Sequence, residues 1–442
     1  MKQFTGLFIL GYLRTFAKLQ LLKNRQAIVI GITGSSGKTS TRLALVKILA
    51  THGRVKHSIH ANSESGIPLN ILGLSLRSFA LLDWLRVILL APVMVLVDWR
   101  HFDYYVVEMG IDSPYSPKNM GYLLSIVRPH VGIVLGAGLV HGAAFDSLVK
   151  DKNPARRNFK IRAAIAKEKM QLARGIDPAG VAIVNRDDPA LVAELQGIKS
   201  RLLTYGRSAR SSLRFTKVVS GKNGFRCDFT YQSQPFSLSL PDPLPPHYAG
   251  TIAAAVLAAT AVGIPIGKSL AALAGLRTPA GRFRLFHGVY SSTIIDSSYN
   301  ASPTSMHESL IHFAALGKDA HKIAVIGDMR ELGLQTKSVH KALADDLLLY
   351  ADEAVLFGPM TAEYTVPVLA SRGFPVRHFA RMDEVISYLQ KNLSKNSWIL
   401  VKGSQNTLFL ERAVAALLAD KNDVKFLCRR GAYWDRLRAK TP

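Results

Sequence analysis

The sequence has 442 residues, 48% of them apolar and 20% charged, which describes a folded chain of two or three domains and excludes an intrinsically disordered one. Its formal net charge of +25 favours anionic partners: a nucleotide, a nucleic acid, a nucleotide-linked substrate or an acidic membrane face. Two cysteines, Cys227 and Cys428, exclude a disulfide framework and a four-cysteine zinc site, and fit a reduced, cytoplasmic compartment.

Residues 1–26 hold Lys2, Arg14, Lys18, Lys23 and Arg25, no acid, and a broad apolar set that includes Phe8, Leu13 and Leu19. They read as a basic amphipathic helix without a cleavage site, either lying on a membrane surface or packed on the domain behind it. Residues 27–32 are an apolar, β-branched run and predict a buried strand. Thr33, Gly34, Ser35, Ser36, Gly37, Lys38, Thr39 and Ser40 follow, and 41–50 continue as a helix. Strand, glycine-rich turn and helix make a phosphate cradle. Backbone N–H groups converge on an anion, Lys38 neutralises phosphate charge, and the Thr39 hydroxyl can ligate Mg²⁺. Ile32 stands where the general pattern has its first glycine, but the intact Gly37-Lys38-Thr39 and its flanking elements point to ATP or GTP.

A polar turn at 60–69 leads into the apolar stretch 71–98, whose uninterrupted core at 87–97 is too short to span a bilayer. It reads as a buried helical hairpin or as a shallow membrane contact. Residues 103–109 predict a core strand with Glu108 near its carboxyl end, where open α/β sheets bind ligands. The apolar run 130–138 is a third strand, delivering His141 to the same edge. The basic run 147–169 defaults to a solvated helix face. Beyond it come a strand at 180–185, strand-like alternation at 200–240, a proline-rich break at 241–246 and an alanine-rich helix at 249–262. A domain seam falls at 276–281. From 293 onward strands at 293–296, 322–327, 354–357 and 398–402 alternate with helices, which predicts a second α/β domain.

These motifs, in this order, resemble those of the Mur ligases: the phosphate loop, NSESGIPL, VVEMG, the histidine after the third strand, AKEKMQL, NRDD, AGR at 280–282, IIDSSYNASP, VIGDMRELG and ILVKGS. The resemblance covers about residues 27–415 and is strongest for the branch that adds a dipeptide to a nucleotide-linked muropeptide. It implies an α/β architecture in which a P-loop-type central ATPase domain, 27–276, is followed by a Rossmann-like C-terminal domain, 277–442. Two insertions relative to the family pattern fall at about 75–98, apolar, and 143–160, basic.

The activity so implied is ATP-driven amide formation in peptidoglycan precursor synthesis, through an acyl phosphate, with Mg²⁺ as cofactor. The resemblance gives catalytic roles to Lys38, Glu108, His141, Lys169 and Arg282. Thr39 and Glu108 would hold one Mg²⁺; His141 and Lys169, the latter as a carbamate, would serve a second, with Lys167 only two residues from that register. His247, Arg282, Asp296, Tyr299 and Asn300 would join the loop residues 33–40 around the nucleotide. Asp328, Glu331 and 402–404 belong to acceptor binding or to the shape of the C-terminal domain, where GDMRELG also reads as a turn and helix cap. The partners implied are an anionic nucleotide-linked muropeptide and a dipeptide amine such as D-alanyl-D-alanine, with a peripheral contact to acidic membrane at the cytoplasmic face. No nucleic-acid recognition motif is present.

Four features depart from the family pattern. Only 26 residues precede the phosphate-loop strand, so the usual N-terminal UDP-binding domain is expected to be missing. Gly136 replaces an asparagine, the adenine motif reads His247-Tyr248 and then Thr251, and Ser297 replaces an aspartate. They leave open two other readings: a different Mur-type ligase, folylpolyglutamate-synthase-like, or a nucleotide-binding protein at the membrane that has lost catalysis.

Overall fold

The structure, a computed structural model, describes residues 2–59, 61–76, 80–139, 142–404 and 408–439; at 2–5, 142, 143, 154 and 432 it describes the backbone alone. The chain forms two compact units. The first comprises Met1–Val219, Arg226–Leu240 and His247–Leu276, and the second Ser220–Phe225, Pro241–Pro246 and Arg277–Pro442. Two short pieces of the second unit therefore come from within 27–276.

A nine-stranded sheet carries the first unit. Its strands are β1 (Ile28–Thr33), β2 (Val55–His57), β3 (Tyr104–Glu108), β4 (Val131–Val134), β5 (Val181–Asn185), β6 (Arg201–Gly206), β7 (Leu213–Gly221), β8 (Gly224–Tyr231) and β9 (Gln234–Leu240), in the order β2-β3-β1-β4-β5-β6-β7-β8-β9. β1 pairs in parallel with β3 on one side and β4 on the other, Ile30 lying opposite both Val106 and Val131. The sheet reverses its winding here, which opens a crevice at the carboxyl ends of these strands. Their near-continuous apolar sequences follow from burial on both faces.

The helices of this unit are α1 (Lys2–Leu22), α2 (Lys38–Leu49), α3 (Gly66–Leu72), α4 (Leu81–Val97), α5 (Met120–Ile126), α6 (Pro154–Arg174), α7 (Pro189–Val192), α8 (Tyr248–Ala261) and α9 (Ile266–Ala272). Met120 and Leu123 of α5 and Ile161, Ile165 and Leu172 of α6 share a core with Val29, Tyr105 and Val107 of the sheet. Asn153 caps α6 by accepting from Arg156 N, with Pro154 in the first turn.

α1 packs on the domain behind it. Leu13 is sealed against Leu69, Leu72, Val87 and Ala91, and Tyr12 Oη donates to Ile88 O at 3.1 Å. Gln20 Nε2 donates to Asp98 O at 2.8 Å. The stretch 71–98 is not a buried hairpin. α3 stops at Gly73, in the left-handed region at φ 71°, and α4 is a single helix of 17 residues with only one face covered. A helix apolar on all sides carries no sequence signal for which face is buried. No helix among the described residues is long and apolar enough to cross a membrane.

The second unit is a six-stranded sheet of β10 (Arg284–His287), β11 (Thr293–Ser297), β12 (Lys322–Gly327), β13 (Glu353–Phe357), β14 (Val376–Phe379) and β15 (Trp398–Lys402), ordered β10-β11-β15-β12-β13-β14. β10 runs antiparallel to β11 and the other pairings are parallel. Successive residues alternate between two cores. Ile295, Ala324, Ile326, Leu356 and Leu400 face one, while Ile294, Val325, Val355, Ile399 and Val401 face the other. That is the period-two signature of a sheet covered on both sides. α10 (Pro303–Leu316) follows β11 through a capping box of Ser302 and Ser305, and α11 (Thr336–Tyr350) follows β12.

Candidate active site

The turn between β1 and α2 is held from below by its own hydroxyls. Thr33 Oγ1 donates to Met109 O at 2.8 Å. Ser35 Oγ donates to Gly138 O at 3.0 Å and accepts from Gly138 N at 2.8 Å, and Ser35 N donates to Gly136 O at 3.0 Å. Ser40 Oγ meets Tyr248 Oη of α8 at 3.1 Å. Gly37 has φ 82°, a left-handed conformation that glycine adopts without steric cost, and it caps α2 with no side-chain hydrogen bond. The N-terminal amides of α2 therefore have no side-chain cap competing with an anion. Ser36 is exposed, and Lys38 Nζ folds back to Gly34 O at 2.6 Å.

Thr39 and Glu108 meet at the carboxyl edge of the sheet, Thr39 Oγ1 donating to Glu108 Oε2 at 3.2 Å. The other carboxylate oxygen accepts from Arg42 Nε at 2.8 Å, and Arg42 Nη1 donates to His57 Nδ1 at 2.6 Å. Burial and the Arg42 charge both push the His57 pKa down, which keeps the ring neutral and able to accept. The Glu108 backbone N–H is fixed by Ser58 Oγ at 2.9 Å. Hydroxyl and carboxylate oxygens so placed suit Mg²⁺, which takes hard oxygen ligands and usually completes its shell with phosphate and water. Sequence reasoning missed Arg42 and His57. The available signal was helical spacing, since Arg42 follows Thr39 by three residues on α2.

Lys169 lies inside α6, 3% exposed. Burial lowers its pKa to about 7, with repulsion from Lys38 acting the same way and Asp112 and Glu168 opposing it. Lys167 is exposed. A buried amine that sheds its proton near neutrality has the nucleophilic lone pair that carbamate formation requires. His141 lies outside the described residues. The basic insert is partly self-neutralised. Arg157 Nη2 pairs with Asp146 at 2.6 Å and Lys160 with Asp151 at 2.8 Å. The reading as a solvated face holds for Lys150, Lys152, Arg156, Lys160, Arg162 and Lys167, which are exposed, and fails at half-buried Arg157 and buried Lys169. Farther along α6, Arg162 pairs with Asp188 at 2.8 Å, and Asp188 Oδ2 accepts from Ala137 N at 2.8 Å. This clamp positions the segment around Gly136 that holds Ser35. His247 is exposed at the start of α8, and Thr251 is buried within it.

In the second unit Asp296 is fully buried. Its Oδ1 accepts from Ser298 Oγ at 2.6 Å and Ser298 N at 3.1 Å, Oδ2 has no partner, and burial raises its pKa. In this position Oδ1 shapes the loop. Tyr299 and Asn300 are half-buried beside it, and the Arg282 guanidinium stacks over the Tyr299 ring at 4.6 Å. Arg429 carries the same loop from behind, donating to Ser298 O at 3.2 Å and Tyr299 O at 2.5 Å while paired with buried Glu411 at 2.6 Å. Lys402 is buried against Ser297 Oγ at 3.2 Å and Asn300 O at 3.0 Å. Asp328 accepts from Thr361 N at 2.8 Å and Met360 N at 3.2 Å, which fits the turn-and-cap reading of GDMRELG. Glu331 stands at φ 62° in that turn and is exposed.

The Mur ligase middle domain family matches residues 156–260, and the family described as Mur ligase, glutamate ligase domain, matches 281–405. Together they cover just over half the chain, in the order that the two units follow. The chain belongs to the Mur ligase family. Among its relatives, the UDP-N-acetylmuramoyl-tripeptide–D-alanyl-D-alanine ligase of Escherichia coli is 25% identical over 396 residues, 88% of this chain and 77% of the relative. The enzyme of the same name from Bacillus subtilis is 26% identical over 409 residues, 91% of this chain and 78% of the relative. In fold, the chain is similar to MurF from Acinetobacter baumannii, with a TM-score of 0.74 at 23% identity over 92% of this chain and 80% of that one. It is also similar to MurF from Thermotoga maritima in complex with ADP, with a TM-score of 0.72 at 21% identity over 98% and 85% of the two chains.

Proposed function

We propose that this chain is an ATP-dependent ligase of peptidoglycan precursor synthesis that joins D-alanyl-D-alanine, or a similar amine, to a UDP-linked muramoyl peptide. The observation that carries the reading is the meeting of Thr39 and Glu108 at 3.2 Å beside the Lys38 loop, at the winding reversal of the sheet. The names of the relatives supply the substrates.

In this chemistry an oxygen of the muropeptide carboxylate attacks the γ-phosphorus of ATP, the bond to the β-phosphate oxygen breaks and ADP leaves. The amine then attacks the acyl carbon of the resulting acyl phosphate, loses a proton, and expels inorganic phosphate. Little covalent work falls to the protein, so charge placement decides the rate. Lys38 and the amides at 34–39 hold the phosphates. Thr39 and Glu108 are the residues for Mg²⁺, which when bound offsets phosphate charge; His141 and a carbamate on Lys169 are assigned to a second ion. Arg42 holds the Glu108 carboxylate in the ligating position. Arg282, Tyr299 and Asn300 are assigned to the nucleotide, with Asp296 holding their loop, and His247 to the base. The setting we infer is the cytoplasm, at the acidic inner face of the membrane.

The test is product formation from UDP-muramoyl-tripeptide, D-alanyl-D-alanine, ATP and Mg²⁺. The expected amide appears by mass and is lost in Lys38→Ala. ATP binding without product from this pair would reject the substrate assignment.

A further inference from the structure

The outward side of α4 is apolar where a surface helix is ordinarily polar. Leu82, Leu85, Leu89, Val93 and Leu96 recur at spacings of three and four and point away from the core, Leu82 at 79% and Leu89 at 70% exposed. Asp83, Val87 and Ala91 occupy the opposite, buried side. α1 runs alongside in the same direction, with Tyr12 bonded to Ile88 and Gln20 to Asp98. It adds Phe8, at 76% exposure, with Leu19 and Leu22. Among the described residues, 12 of the 23 exposed large apolar side chains lie on α1 or between 81 and 99. Scattered exposed leucines are ordinary in a folded protein, but this concentration on one helix pair marks an interaction surface.

Charge selects the occupant. Residues 1–102 contain 13 Lys and Arg and three acids. Two of those acids, Asp83 and Asp98, are buried and paired with Arg86 and Arg100, each at 2.7 Å. Lys18 and Arg25 are exposed on or just beyond α1. Lys23 donates to Asp98 O at the end of α4 and lies 4.0 Å over the ring of Trp99, itself 62% exposed. An apolar helical face edged by cations and a tryptophan matches the boundary between lipid headgroups and acyl chains. The helix has 17 residues and a proline at 92, too little to cross the bilayer and well suited to lying in its surface.

We propose that the α1–α4 face is a docking surface for an anionic lipid bilayer, with the apolar side of α4 embedded among the headgroups and acyl chains. It deepens the membrane setting inferred above and is independent of the ligase reading, because binding to vesicles is measured without turnover. It places an enzyme of soluble substrates on the membrane through a surface contact.

The experiment is flotation of the full chain with vesicles of phosphatidylglycerol and, separately, of phosphatidylcholine. Binding is expected to phosphatidylglycerol, to weaken as salt rises, and to fall about tenfold or more in Leu85→Ser/Leu89→Ser/Leu96→Ser. Lys18→Gln/Arg25→Gln should weaken it less. Because these side chains face outward, thermal unfolding and ATP binding should match the parent. In Leu89→Trp, which keeps the face apolar, the added tryptophan should shift its emission to the blue with phosphatidylglycerol alone. The proposal is overturned if the parent chain stays with the buffer at low salt, if the triple variant floats equally well, or if Leu89→Trp shows no shift. A parent dimer that the triple substitution converts to monomer, without vesicle binding, would assign the face to a second copy instead.

Discussion

Among the described residues each unit buries one lysine, and burial lowers both ammonium groups to about 7, yet the two differ in their surroundings. Lys402 is absorbed by its own fold. It donates to Ser297 and Asn300, and so ties β15 to the loop after β11. Lys169 is set among Lys38, Asp112 and Glu168, beside a loop built to receive phosphate. A perturbed lysine does not by itself mark a catalytic position. The neighbours do, and they separate a group held ready for chemistry from one that closes a seam.

Substitutions sharpen that contrast. The largest loss is expected for Lys38→Ala, about a thousandfold in kcat/KM, the scale of removing one preorganised charge from phosphoryl transfer. Steady-state kinetics with unchanged thermal unfolding would check it. Next is Lys169: purging dissolved carbon dioxide should lower activity by about tenfold or more in the parent and leave Lys169→Ala unaffected. A carbamate carbon signal from labelled bicarbonate, absent in that variant, is the direct readout. Arg42→Met should cost about 3 kcal/mol, because it strands the Glu108 carboxylate in the interior. The urea midpoint measures that loss.

The smallest effect on activity belongs to Lys402→Met, and the size of its effect on stability depends on pH. With a folded pKa near 7, the unfolded chain keeps a proton that the folded chain releases between pH 7 and the ordinary lysine value of 10.5. Burial of this lysine therefore opposes folding fully below pH 7 and progressively less above it. Lys402→Met should raise the unfolding midpoint more at pH 6.5 than at pH 9.5. ATP binding should stay as in the parent.

Much of this contrast was legible in the sequence where geometry is local. The run from Ile28 to Thr39 encodes strand, turn and helix start in consecutive residues, and the structure forms them there. What arises between elements was not legible. Arg42 reaches Glu108 because β3 lies beside β1, and His57 joins them because β2 is the next strand out. Asp296 carries a motif but no sign that its carboxylate would turn inward to Ser298. Along α4 the sequence is apolar on every side, so only the packing of Val87 and Ala91 against Leu13 reveals that the Leu89 side is bare.

The proposed reaction requires that the carboxylate be phosphorylated at the Lys38 loop before the amide forms. The most direct measurement supplies UDP-muramoyl-tripeptide labelled with ¹⁸O in its reacting carboxylate, with D-alanyl-D-alanine, ATP and Mg²⁺. Mass analysis then follows the released phosphate. An acyl phosphate carries one carboxylate oxygen into that phosphate, so one labelled oxygen per phosphate is expected for each amide formed. Amide formation with unlabelled phosphate, or phosphate release that ignores the amine, would contradict it.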